Sequence, residues 1–156
     1  MRTWRELNQG SDLPCRAVAP ALARLYSDAA TPLRAVVTAP PGSGKTTLIP
    51  AVLAELEEAA GGSGTIIVCQ PRRVAARAAA HRLADLLEER VGERVGYAVR
   101  GDTQAGRNTR VLMVTSGVLV ARLLADPELA GVSAVVIDEV HERSLVTDVA
   151  LAFSLD

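Results

Sequence analysis

The stretch Arg34-Ala35-Val36-Val37-Thr38-Ala39-Pro40-Pro41-Gly42-Ser43-Gly44-Lys45-Thr46-Thr47 decides how this chain is read. Residues 34–38 are a short apolar run that predicts a strand. A Pro/Gly loop follows, and residues 44–60 carry a helical pattern that stops at Gly61-Gly62-Ser63-Gly64. Strand, glycine loop and helix in that order make a cradle for phosphate. Gly42 and Gly44 let the backbone turn its N–H groups inward without a Cβ clash, and the helix start adds the positive end of its dipole. On this reading Pro41, Gly42, Ser43, Gly44, Lys45, Thr46 and Thr47 line a nucleotide, with Lys45 reaching the β- and γ-phosphates and the Thr46 hydroxyl placed to ligate Mg2+. The strict pattern begins with Gly where this chain has Ala39, a small residue that leaves the cradle intact.

Lys45 stands out for a second reason: it is the single lysine among 17 basic residues. A background that writes Arg nearly everywhere keeps one compact ammonium, and it falls in the phosphate loop.

Outward from the loop, apolar runs alternate with helical patterns. Residues 1–12 read as an N-terminal extension and 14–28 as a helix behind a cap at Ser11 or Asp12. Strands are expected at 65–69, 95–99, 110–114 and 133–137, helices at 73–91, 116–125 and 144–153, and a polar loop at 102–108. Strands this continuously apolar, separated by helices, predict an α/β fold with a parallel sheet covered on both faces. Ligands in such folds bind beyond the carboxyl ends of the strands.

Composition narrows the function. At 156 residues, 49% hydrophobic, the chain suits one domain with a real core. A net charge of −1 excludes a polycation, so any nucleic-acid contact must come from local Arg placement. Cys15 and Cys69 lie far apart without metal-ligand spacing, the N-terminus lacks the apolar core of a signal peptide, and no run is long enough to span a membrane. A cytoplasmic protein is expected.

The run at 133–137 leads into Asp138-Glu139-Val140-His141-Glu142-Arg143, which puts two adjacent carboxylates at a strand end. Burying such a pair is expensive unless a cation shares the site. Thr46, Asp138 and Glu139 are therefore the metal-side candidates. Asp138 holds Mg2+ directly or through water, Glu139 polarises the attacking water, and His141 serves as a hydrogen-bonding relay. Elsewhere, Arg72 and Arg73 open a predicted helix, where the dipole disfavours cations, and a bound anion resolves that conflict. Thr115 and Ser116 open another helix, as an N-cap that is compatible with touching phosphate.

The phosphate loop, Gln70-Pro71-Arg72-Arg73-Val74-Ala75-Ala76, Thr115-Ser116-Gly117-Val118-Leu119 and Asp138-Glu139-Val140-His141 stand in the order seen in DEAH-type superfamily 2 RNA helicases. Over residues 13–153 the chain resembles that family, and Ala39-Pro40-Pro41-Gly42 with Asp126-Pro127-Glu128-Leu129 is most similar to its bacterial HrpB-type branch. The resemblance implies a RecA-like P-loop NTPase domain that binds and hydrolyses ATP with Mg2+. It also implies that Arg72, Arg73, Thr115 and Ser116 hold single-stranded RNA by its backbone, and that Arg82 stacks on the nucleotide base. The family's Phe-Glu after Arg100 is replaced by Gly101-Asp102, so Arg100 receives no role. Relatives carry a Ser-Ala-Thr strand after the acidic motif and then a second RecA-like domain with the arginine finger. The expectation is thus an incomplete first domain over 13–156, with a gap in the sheet and no unwinding by itself. The rival readings are a regulatory nucleotide-binding module that senses ATP without turnover and a small-molecule P-loop kinase, disfavoured for want of a lid segment.

Overall fold

In the computed structural model, which describes residues 1–10, 14–28 and 34–155, one five-stranded sheet forms the centre. Its strands are β1 (Thr65–Gln70), β2 (Val95–Val99), β3 (Asp102–Gln104), β4 (Val111–Thr115) and β5 (Val132–Ile137), in the order β3-β2-β4-β1-β5. β1 runs parallel to both β4 and β5, and β2 parallel to β4.

Side-chain alternation along these strands builds two cores. Ile66, Val68, Val95, Tyr97, Val111 and Met113 face one side, packed with helices α1 (Trp4–Gln9), α2 (Ala19–Asp28), α3 (Lys45–Ala59) and α4 (Arg73–Leu86). Ile67, Cys69, Ala98, Leu112 and Val114 face the other, under α5 (Ser116–Ala125) and α6 (Leu145–Leu155). The expected doubly covered α/β sheet is the fold observed.

Four sequence expectations change. Residues 34–38 do not form a strand: the segment 34–40 has no regular structure, and Val36 is 92% exposed. A strand exists through its hydrogen-bonded partner, and β5, at the sheet edge, pairs only with β1. Within the expected 102–108 loop, Asp102–Gln104 pairs back antiparallel on β2 as β3, which makes the sheet mixed. α4 stops at Leu86 instead of 91. Glu88 there takes a left-handed φ of 57°, and the Glu89 carboxylate accepts from Arg94 Nε at 2.7 Å and from the Val95 N–H at 3.2 Å. Finally, the first residues join the core. Trp4 is 2% exposed beneath the Arg94 guanidinium, 5.2 Å from the ring centre, and Asn8 Nδ2 donates to Glu55 on α3 at 2.7 Å. The Ser11 and Asp12 caps lie outside the described residues.

A polar knot ties the far end of the sheet together. Glu57, near the end of α3, accepts from Ser133 Oγ at 2.6 Å, from the Gly64 N–H at 3.0 Å and from the Tyr26 hydroxyl. A Cβ on Gly64 would lie 1.8 Å from Ser133 Oγ, so any larger residue there would displace the Ser133 side chain. Burial pushes the Glu57 carboxyl up, but the bonds from Ser133, Tyr26 and Gly64 and the Arg110 charge outweigh it and hold it below 4.5. Burial, with the neighbouring Glu57, raises the Tyr26 phenol to about 12. A depressed carboxyl stabilises the fold above its unfolded pKa, near 4.5, and that contribution is lost as pH falls through the folded value. Glu57→Gln is expected to cost about 1 kcal/mol at neutral pH, kept small by solvent screening. Chemical denaturation at pH 7 and pH 3.5 checks this: the gap between wild type and variant should shrink at the lower pH.

Candidate nucleotide and nucleic-acid site

The loop after residue 38 turns through two left-handed glycines, Gly42 at φ 73° and Gly44 at φ 88°, and α3 begins at Lys45. No atom lies within 4 Å of a Cβ built on Gly42, so glycine is needed there for its backbone angle. Ser43 is 2% exposed, and its hydroxyl has no hydrogen-bond partner among the described residues. Lys45 folds back onto the loop, donating to the carbonyls of Ala39 at 2.5 Å and Pro40 at 2.9 Å.

Asp138 lies just past β5, on the same sheet end. Its N–H donates to the Cys69 carbonyl at 3.0 Å, which continues the β1–β5 ladder. Its Oδ2 accepts from Thr46 Oγ1 at 2.5 Å and from Gln70 Nε2 at 2.9 Å, while Oδ1 accepts from the Glu139 N–H at 2.9 Å. One carboxylate thus joins the start of α3, the end of β1 and the acidic loop. Glu139 takes a left-handed φ of 53°, and its Oε2 lies 3.1 Å from His141 Nε2.

These residues fit a Mg2+–nucleotide complex on their own chemistry. Thr46 Oγ1 and Asp138 Oδ2 are paired hard oxygens, of the kind Mg2+ takes alongside phosphate and water. The orphan Ser43 hydroxyl is a buried polar atom that a phosphate oxygen satisfies. Among the described residues no group of three or more His, Cys, Asp or Glu converges to hold a metal by itself.

Gln70 and Thr115 are register partners on β1 and β4, so the segments that follow them leave the sheet at the same end as Asp138. Arg72 and Arg73 are exposed at the start of α4, where the first turn carries no acid. Arg72 Nη2 instead lies 3.2 and 3.3 Å from the two carboxylate oxygens of Glu142. Arg82 is exposed further along α4. Thr115 occupies the N-cap position of α5 without making a side-chain cap bond. Ser116 corrects the sequence reading. At 5% exposure, its hydroxyl pairs inward with Thr147 Oγ1 at 3.0 Å and accepts from Cys69 Sγ at 3.4 Å, so it is withdrawn from the surface expected to meet nucleic acid.

Sequence reasoning gave no role to Gln70, Glu142 or the Ser116–Thr147 pair. A buried Gln closing an apolar strand, 3% exposed, was a visible signal for the first; the others depend on contacts 70 and 31 residues apart.

A glycine-turned loop opening a helix, its first threonine bonded to a strand-end aspartate, defines a P-loop nucleotide-binding domain. Comparison with known proteins narrows the class: residues 19–148 match the DEAD/DEAH box helicase family, and the chain belongs to it. It is 46% identical over 146 residues to the ATP-dependent RNA helicase HrpB of Escherichia coli, covering 94% of this chain and 17% of that protein. It is 44% identical over 118 residues to an ATP-dependent RNA helicase HrpA homolog of Haemophilus influenzae, covering 76% of this chain and 9% of that one. A crystal structure of E. coli HrpB superposes with a TM-score of 0.82 over 94% of the chain. The chain therefore spans less than a fifth of the length of these relatives.

Proposed function

We propose that this chain is the ATP-binding and hydrolysing domain of a DEAH-type helicase that remodels RNA. The observation that carries the reading is the 2.5 Å contact between Thr46 and Asp138, which joins the phosphate loop to the acidic motif across 92 residues of sequence. Lys45 exchanges its two carbonyl partners for the β- and γ-phosphates, the glycine loop supplies N–H donors, and Arg82 stacks on the base. Thr46 and Asp138 would hold Mg2+, which when bound would supply neutralisation of phosphate charge. Glu139 orients and deprotonates the attacking water, with His141 holding its carboxylate. Arg72, Arg73 and Thr115 grip the sugar-phosphate backbone of single-stranded RNA.

The open flank of β5 and the unpaired segment 34–38 support a further strand between them, and a second RecA-like domain supplies the arginine finger. The same reading puts this work on RNA in the cytoplasm. No helix among the described residues is long and apolar enough to cross a membrane. By itself the chain should bind Mg·ATP and single-stranded RNA, as read by fluorescence anisotropy, yet leave a labelled duplex paired. Joined to a second RecA-like domain, it should hydrolyse ATP faster when oligouridylate is present. Turnover indifferent to RNA would favour a nucleotide-sensing module instead.

A further inference from the structure

The acidic loop between β5 and α6 is fastened at its start, its middle and its end, and the fastenings differ in kind. At its start, Asp138 is held by Thr46 and Gln70 through part-buried hydrogen bonds. At its end, Ser144 Oγ pairs with Thr147 Oγ1 at 2.7 Å, and Thr147 pairs with Ser116 at 3.0 Å, inside the α5–α6 packing. Between them, Glu142 meets Arg72 on α4 in an exposed ion pair, the arginine side chain 73% accessible, and Arg143 lies 3.4 Å from Asp148 on α6. Buried bonds of this sort are retained, whereas exposed pairs are weak and readily exchanged.

The loop's geometry gives that middle fastening leverage. The short 3-10 turn Val140–Glu142 lies between two left-handed non-glycine residues, Glu139 at φ 53° and Arg143 at φ 46°. Such conformations persist only where surrounding contacts impose them. Glu142 is also the carboxylate that stands against Arg72, at a helix start with no acid in its own first turn. It occupies one face of the guanidinium fork that a phosphate diester would claim.

We propose that Glu142 is a positioning residue that holds Arg72 until a sugar-phosphate backbone takes its place, so that occupancy of Arg72 is passed to the loop carrying Asp138 and Glu139. This rests on the nucleic-acid reading given above. When the phosphate displaces Glu142, the loop keeps its ends and its Arg143–Asp148 pair but loses the contact that ties its middle to α4. The water-orienting carboxylate, three residues away, is then free to settle on the nucleotide.

The test uses the whole chain and a fluorescein-labelled oligouridylate, with circular dichroism confirming that each variant folds. Removing the competing carboxylate by Glu142→Gln should tighten oligouridylate binding about two- to fivefold, the range an exposed pair supports. In an Arg72→Ala background the same substitution should change affinity by less than about 1.5-fold, because a mere gain of positive charge would act in both backgrounds. Saturating oligouridylate should alter the affinity of the wild type for Mg·ATP, and that linkage should disappear in Glu142→Gln. Unchanged or weaker binding by Glu142→Gln, an equal effect in the Arg72→Ala background, or linkage that survives the substitution overturns the inference and leaves the helicase reading standing. A wild-type chain that binds no oligouridylate at all removes both.

Discussion

Replacing Lys45 by alanine is expected to weaken Mg·ATP binding at least about a hundredfold, since two charge-assisted hydrogen bonds to phosphate are worth about 3 kcal/mol or more together. Lys45 is the chain's only lysine, and its ammonium rests on the neutral carbonyls of Ala39 and Pro40. Those partners give it up at little cost when a phosphate offers full negative charge at the same reach. Arginine should not rescue the loss. The guanidinium is a planar fork, larger than an ammonium, and it does not reproduce the compact point charge that Lys45 brings to the loop. Because the native partners of Lys45 are loop carbonyls, thermal unfolding of Lys45→Ala without nucleotide should fall within about 2 °C of wild type. Isothermal titration with Mg·ATP measures the loss directly. A dissociation constant within threefold of wild type would remove Lys45 from the site and the phosphate-loop reading with it.

How far the sequence carries depends on the range of the forces involved. Helix α5 was legible to the residue, because Thr115-Ser116 opens and Asp126 closes an apolar pattern that local propensity alone sustains. The strands buried on both faces were legible for a similar reason, since their continuous apolar runs fit no other placement. Ala35-Val36-Val37 has the same composition yet remains outside the sheet, because strand formation depends on a neighbour and composition cannot supply one. β3 fails in the opposite sense: Asp102–Gln104 is polar and reads as loop, but the left-handed Gly101 at φ 81° turns it back onto β2. Trp4 looked like part of a tail because nothing near it in sequence announces the Arg94 guanidinium that covers it. The site divides along the same line. Lys45, Thr46 and Asp138 were singled out because each sits in a local motif with its own chemistry. Glu142 and the inward turn of Ser116 were not, because each is decided by a residue on another element.

Substituting Glu139 by glutamine separates binding from chemistry. Of the two adjacent acids, Asp138 has its carboxylate held by Thr46, Gln70 and the Glu139 N–H, which suits the anchoring role proposed for it. Glu139 has only the His141 imidazole beside it, at 3.1 Å, and is 40% accessible. It is the acid with lone pairs left for water. Glutamine keeps the size and the hydrogen-bonding reach but cannot take a proton, so Mg·ATP affinity should stay within about twofold while turnover falls about 10²- to 10⁴-fold, the usual contribution of a general base. His141→Ala should be milder, about tenfold, because the imidazole orients Glu139 and does not itself accept the proton. Asp138→Asn should behave differently from both, losing Mg2+-dependent nucleotide binding. Turnover has to be followed in the chain joined to the second RecA-like domain proposed for it, where single-turnover hydrolysis of labelled ATP distinguishes a slow chemical step from slow release. Near-normal single-turnover rates for Glu139→Gln would move the water-activating role to another residue.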